Sequence, residues 1–323
     1  MWIGSDERCD EVTEHSPEQN DIAEQQRYSH LASIDRGLAE VGLRPRWSVY
    51  ALTGVAVAIA WIWLVFLTAG VSQTVGPQAV GPGMEFWRGL LSRLDVDPTD
   101  DGLLKFILKI CAPVSPGGFT IGVFISTFLM WTAMSLAMML PSAGAMIRTY
   151  ADIADVAAQK SEEVVPLTVL VLGYLSVWAA FALVMSLFQL LLIGAGLAAD
   201  PVFPLQGAVA GCILLLAGAY QFSELKDACL QKCRNPFSIL FGRWTQSYAG
   251  IFRLGAEQGT YCLGCCWALM LVMLVVGTMN LAWMAFFTLF AILEKSGKGR
   301  VTSYFSGGIL LVWGGILIIV SLV

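Results

Sequence analysis

The sequence predicts an all-α membrane protein, a polytopic transmembrane helical bundle of six to seven spans. Of its 323 residues 57% are hydrophobic and 13% are charged, whereas soluble domains carry roughly 25% charged residues. Several apolar runs reach the length of about 20 residues that a helix needs to cross a bilayer. Their interiors contain no Asp, Glu, Lys or Arg, as expected where a buried charge costs several kcal/mol. A lipid bilayer is therefore the expected surrounding, and the lack of a basic tract argues against nucleic acid as a partner.

Six apolar runs can be read in order, at 49–70, 119–140, 165–194, 202–222, 262–293 and 305–323. The fifth run is long enough to be two short helices, with a break at 277–280 where the sequence is Gly-Thr-Met-Asn. With that break and a cytoplasmic N-terminus, the flanking segments place 15 Lys and Arg inside and 4 outside, against 12 and 7 for one unbroken helix. Positive charge is enriched on the cytoplasmic side of membrane proteins. We therefore expect seven spans with a cytoplasmic N-terminus, with the two short helices forming a hairpin that need not cross completely.

Two regions follow from this pattern. Residues 1–48 form an acidic tail that we expect in the cytoplasm, and residues 49–323 form the transmembrane helical domain. Within the latter, the segment 234–261 is mixed in polarity, and Trp244, Tyr248, Ile251 and Phe252 recur at helical spacing. This spacing predicts an interfacial helix that lies flat on the membrane.

Five of the eight cysteines fall in one short stretch of the chain. Cys229 and Cys233 form a C-x-x-x-C pair, and Cys262, Cys265 and Cys266 form a C-x-x-C-C set. Each group would share one helix face. Because the pair follows the fourth apolar run and the set opens the fifth, both groups are expected at the same side of the membrane.

Thiolates are soft donors that suit Cu(I) and Zn(II). Two helix faces that each offer two or three sulfurs could close a tetrahedral or trigonal metal site. If Cys262–Cys266 form the first turn of a helix, its N-terminus would also lower the pKa of these thiols. The favoured topology places the cluster at the cytoplasmic face, where thiols stay reduced. The alternative is that these cysteines are small packing residues.

Methionines give a second, weaker pattern. Met134 and Met138 stand one turn apart, with Met139 beside them and Met130 one turn earlier. Thioethers ligate Cu(I), so this stripe could hold weaker copper sites along a helix near the same face. Methionine is also a common filler of apolar cores, and both interpretations stay open.

Recognisable catalytic and nucleotide-binding motifs are absent from the sequence. It contains no G-x-x-x-x-G-K-[ST], H-E-x-x-H or G-x-S-x-G pattern, so no nucleotide cofactor and no catalytic residue is predicted. A primary pump is disfavoured for the same reason, and a role other than catalysis is favoured.

Several segments also carry a family resemblance. They are 131–134 running into 137–142, 220–221 with 225–234, 259–270, and 279–284 with 293–295. On these residues the chain resembles a bacterial family of uncharacterised proteins known as predicted metal-binding integral membrane proteins. The resemblance covers about 49–323 and implies a metal-binding helical membrane protein. Gln258 stands where that family is expected to have a histidine, which leaves a site made of sulfur alone.

Three functional hypotheses remain open at this point. The leading one is a metal-handling protein that binds copper(I), or zinc, for transport, storage or delivery to another membrane protein or a metallochaperone. The second is a membrane thiol–disulfide oxidoreductase whose thiols exchange electrons with a quinone or a soluble partner. The third is an assembly partner of a membrane complex.

Overall fold

The computed structural model describes residues 47–74, 120–160, 163–197, 205, 207–297 and 300–322. Residues 1–46 of the acidic tail lie outside these described residues, so the predictions made for the tail stay predictions. Within the described ranges the chain is all-helical, without a strand, which confirms the all-α part of the predicted fold class.

Ten helices make up the described part of the chain. In chain order they are α1 (Trp47–Thr74), α2 (Ile121–Ser142), α3 (Gly144–Gln159), α4 (Leu167–Gly194), α5 (Gly207–Gln221), α6 (Glu224–Arg234), α7 (Pro236–Gly242), α8 (Tyr248–Val276), α9 (Leu281–Ser296) and α10 (Val301–Leu322).

The predicted break in the fifth apolar run is present. Helix α8 ends at Val276 and α9 begins at Leu281. Gly277 adopts a φ of 104°, a conformation that glycine reaches without steric cost. Asn280 then caps α9, because its side-chain oxygen accepts a hydrogen bond of 3.2 Å from the backbone N–H of Trp283. The chain therefore reverses here, as a hairpin of two helices.

Among the residues that the structure describes, four helices are long and apolar enough to cross a membrane, α2, α4, α8 and α10. The pair α5 and α6 would count as a fifth span if taken as one broken helix, although the two are bent by 63°. The 16 residues of α9 rise about 24 Å, less than the thickness of about 30 Å of the hydrocarbon core. The count of six to seven spans therefore stays a prediction.

Helices α4 and α8 pack closely side by side through glycines. A Cβ on Gly173 would lie 2.1 Å from the carbonyl oxygen of Phe252, and one on Gly255 would lie 2.0 Å from that of Leu170. Only residues without a side chain allow two backbones to approach this far, as is common between membrane helices. Since Gly259 similarly meets the next turn of α4, the two helices run parallel.

Helix α2 runs antiparallel to α4. The indole N–H of Trp131 donates to the side-chain oxygen of Gln189 at 2.7 Å, and the hydroxyl of Tyr174 donates to the carbonyl of Met139 at 3.1 Å. The C-terminal end of α2 thus meets the N-terminal part of α4 at one end of the bundle. This end contains the cysteines.

Candidate metal centre

The first pair of thiols lies on the polar helix α6. Ser223 caps this helix by accepting a hydrogen bond of 3.1 Å from the N–H of Lys226, and the helix has acidic residues in its first turn and basic residues in its last. Such a charge arrangement complements the helix dipole. Cys229 and Cys233 are half-buried along the side of α6 that faces α8.

The second group of thiols lies on α8 and is buried. Cys262 is 3% exposed, and Cys265 and Cys266 are 0% exposed. The sulfurs of Cys265 and Cys266 lie 3.2 Å apart, and the thiol of Cys265 donates to the carbonyl of Cys262 at 3.1 Å. None of the cysteines that the structure describes is in a disulfide.

The two groups meet between α6 and α8. The sulfur of Cys233 lies 3.8 Å from that of Cys265. The sulfur of Cys229 lies against Gly264, where an added Cβ would come within 2.5 Å of it. The convergence of thiols from two separate helices, predicted from their spacing, is therefore present.

The prediction that Cys262–Cys266 open a helix is wrong. Helix α8 begins at Tyr248, fourteen residues before Cys262, so these thiols receive no stabilisation from a helix N-terminus. The position of the segment 234–261 at the membrane interface stays a prediction. This segment contains the short helix α7, a loop with Trp244 and the first half of α8. Because Gly255 and Gly259 pack on α4, α8 continues unbroken through the segment.

Three residues that the sequence analysis did not single out surround Cys262. The ammonium of Lys295 lies 3.0 Å from the sulfur of Cys262 and donates to the hydroxyl of Ser142 at 2.6 Å. The hydroxyl of Tyr174 lies 3.0 Å from the same sulfur. A lysine beside a thiol favours negative charge on the sulfur. The only feature of the sequence that could have indicated these neighbours of Cys262 is a lysine at the end of an apolar run.

The predicted methionines lie in the core of the bundle. Met134, Met138 and Met139 are each 0% exposed on α2. Met139 is tied to the thiols through its carbonyl, which accepts from the same Tyr174 hydroxyl that contacts Cys262. Burial on α2 is what both a packing role and a ligand role require.

The sulfur distances can be compared with those of a metal site. Zn–S bonds of about 2.3 Å place the sulfurs of a tetrahedral site about 3.8 Å apart, which is the distance between Cys233 and Cys265. The separation of 3.2 Å between Cys265 and Cys266 is shorter. In the described ranges no group of three or more His, Cys, Asp or Glu side chains is arranged to hold a metal ion. The sulfur of Cys265 lies close to two others, those of Cys233 and Cys266.

A buried ion pair holds α6 in place beside the thiols. The ammonium of Lys226 lies 2.7 Å from a carboxylate oxygen of Glu294, and both side chains are 1% exposed. The hydroxyl of Ser303 donates to the same oxygen at 2.6 Å, and Lys226 also donates to the side chain of Gln221. Arg234 donates to the backbone carbonyl of Glu294 at 2.7 Å. Helix α6 is thus fixed to α5 and α9, and through Glu294 to α10. This ion pair was not predicted from the sequence.

Comparison with known families places most of the bundle in a family. Residues 128–317, more than half of the chain, match the family PpoB2, which is described as a copper chaperone. The matched residues include all five clustered cysteines and the three methionines. The metal-binding part of the resemblance is thereby confirmed, whereas the description of the matched family does not mention a membrane. No curated protein and no solved structure matches the chain.

Proposed function

The chain belongs to the copper chaperone family PpoB2, and from this premise we propose that it binds copper as Cu(I) at its clustered thiols and passes it to an acceptor. The ligands are Cys229, Cys233, Cys262, Cys265 and Cys266. The observation that carries the proposal is the approach of two thiol groups from separate helices, with 3.8 Å between the sulfurs of Cys233 and Cys265.

The donor set favours Cu(I) over other ions. Thiolates and thioethers are soft ligands that select Cu(I), whereas imidazole is common in Cu(II) and zinc sites. Gln258, one turn before Cys262 on α8, is buried where a histidine was expected, so that turn offers no imidazole. A structural zinc site needs four ligands in a closed tetrahedron, which matches the paired thiols less well.

The location of the site belongs to the proposal as well. The apolar helices support a bundle embedded in the inner membrane of a bacterium, and the distribution of Lys and Arg supports a cytoplasmic N-terminus and cytoplasmic thiols. The acceptor is then another membrane protein, and a soluble metallochaperone is the donor. Met139, Met138 and Met134 lie progressively further along α2 from Ser142 and would form weaker copper sites in that direction.

Metal analysis of the protein purified in detergent tests the proposal. We expect about one or more copper ions per chain after growth with copper, and almost none when all five cysteines are changed to Ser. Cys212→Ser is the matched control, because Cys212 lies on the exposed side of α5 and its loss should leave copper unchanged. Equal copper in the wild type and in the five-serine variant would refute the proposal, and zinc in place of copper would refute the choice of metal.

The same pair of sulfurs favours a second candidate function, thiol–disulfide exchange. Cys233 and Cys265 are close enough to be joined by a disulfide after a small shift. A membrane oxidoreductase of this kind would expose its thiols to the periplasm. A membrane-impermeant maleimide applied to intact cells separates the two functions, because it should label Cys229 or Cys233 in an oxidoreductase and spare both in a cytoplasmic copper site.

A further inference from the structure

The five thiols differ sharply in their access to water. Cys229 and Cys233 are half-buried on α6, a polar helix on which the neighbouring Gln231 and Lys232 are exposed. Cys262, Cys265 and Cys266 are at most 3% exposed on the apolar helix α8. The cluster therefore has an outer edge formed by α6 and an inner part formed by α8.

On their other side the inner thiols are covered by the buried Tyr174 and the partly exposed Lys295. Tyr174 of α4 and Lys295 of α9 each lie 3.0 Å from the sulfur of Cys262. Lys295 is held there by its hydrogen bond of 2.6 Å to Ser142. A copper ion arriving from water thus meets the thiols of α6 before those of α8, and the contact between Cys233 and Cys265 at 3.8 Å joins the two parts.

We propose that the site is loaded in a fixed order, and this inference rests on the proposed function. A Cu(I) ion held by two thiolates of a soluble donor is first captured by Cys229 and Cys233. It then passes through Cys265 to the inner thiols Cys262 and Cys266. The outer thiols are entry ligands, and the inner thiols are storage ligands.

Each transfer is a ligand exchange in which copper stays Cu(I). In each transfer one bond forms between copper and an incoming cysteine sulfur, and one bond between copper and the sulfur that held it breaks. The sulfur that gives up copper belongs to the soluble donor in the first transfer and to Cys229 or Cys233 in the second. The incoming protein thiol loses its proton, and the departing donor thiolate takes up a proton. No electron is transferred, so the step needs no oxidant or reductant.

The proximity of Cys229 to the inner helix depends on Gly264. Because a Cβ at position 264 would lie 2.5 Å from the sulfur of Cys229, Gly264→Ala should push this sulfur away from α8 without removing a thiol. That substitution keeps all five donors and alters only the route between the two parts of the cluster.

Rapid-mixing measurements with the Cu(I)–glutathione complex as donor test the order. We expect the variant with Cys229→Ser and Cys233→Ser to load at an initial rate at least about tenfold lower than wild type, yet still to bind copper at equilibrium through Cys262, Cys265 and Cys266. Cys262→Ser should lower the final amount of bound copper, and its initial rate should fall much less than that of the variant without Cys229 and Cys233. Cys212→Ser serves as the control in both measurements.

A second measurement uses the unaltered protein and therefore does not depend on the folding of a variant. A hydrophilic maleimide followed by mass spectrometry should modify Cys229 and Cys233 before the other three thiols. Brief exposure to less than one equivalent of Cu(I)–glutathione should protect these two first. Equal initial rates in all variants, or first protection of Cys262 or Cys266, would overturn the loading order. Failure of the wild type to bind copper would contradict the proposed function instead.

Discussion

The buried ion pair between Lys226 and Glu294 gives the sharpest test of how the bundle is held together. In Glu294→Gln the side chain keeps its shape and one oxygen for Ser303, but Lys226 loses its negative partner. Since the two groups lie 2.7 Å apart with 1% exposure each, the charge of Lys226 cannot be compensated by water. Removing one partner of a buried pair costs about 3–5 kcal/mol. The hydrogen bond from Lys226 to Gln221 remains, which places the expected loss near the lower end, at about 3 kcal/mol.

Reversible unfolding of the purified protein in mixed detergent measures this loss. A decrease of 3 kcal/mol lowers the ratio of folded to unfolded protein by more than about a hundredfold. Ser303→Ala is the matched control, because it removes only the hydrogen bond of 2.6 Å to Glu294 and should cost about 1 kcal/mol. Replacing both partners, Lys226→Met with Glu294→Leu, should recover most of the loss, because no unpaired charge is left. The reasoning is refuted if Glu294→Gln is as stable as wild type, or if the double variant is less stable than the single one.

Four further substitutions test the packing and the site. Gly255→Ala should destabilise the bundle by at least about 1–3 kcal/mol, because its Cβ would meet the backbone of α4 at 2.0 Å. The control is Gly308→Ala, which has open space around it and should be neutral or stabilising by up to about 1 kcal/mol. Thermal unfolding of both variants checks this difference. Gly264→Ala should slow copper loading without lowering the unfolding temperature, and unchanged loading would show that its contact with the entry sulfur has no role. Burial raises the pKa of Tyr150 to about 12, so its contribution to stability should be present below about pH 10 and be lost as the pH rises toward 12. Tyr150→Phe should lack that part of the pH dependence. It should also lose about 1 kcal/mol of stability at neutral pH, because the hydroxyl donates to a backbone carbonyl at 2.6 Å. Unfolding of the variant and the wild type at neutral pH and near pH 12 tests both expectations.

The apolar runs predicted the transmembrane-type helices well, and they missed where α8 begins. Its first half contains Arg253, Glu257 and Gln258, so no apolar run marks it as a span. The helix continues there because Gly255 and Gly259 pack against α4, a tertiary contact that periodicity cannot reveal. By contrast, the break at 277–280 could be predicted, since Gly and Asn act locally on the backbone.

The candidate site was predictable where sequence spacing sets the geometry. Thiols four residues apart share a helix face whatever the fold, and the order of the apolar runs predicted that the two faces lie at the same side of the membrane. The groups around Cys262 follow from packing alone, because Tyr174 and Lys295 are separated from it by 88 and 33 residues. The same holds for Lys226 and Glu294, whose pairing depends on how α6 crosses the end of α9.

The last turn of α9 takes part both in the buried ion pair with Lys226 and in the contact with Cys262, neither of which was predicted from the sequence. Glu294 holds α6, the helix of Cys229 and Cys233, whereas the next residue, Lys295, contacts Cys262 of α8. One turn of helix therefore fixes the position of both thiol groups. If this turn sets the distance between Cys233 and Cys265, Glu294→Gln should release bound copper to a chelator faster than Ser303→Ala does, even under conditions where both variants are fully folded. Equal release from the two variants would mean that the ion pair stabilises the fold but does not position the thiols.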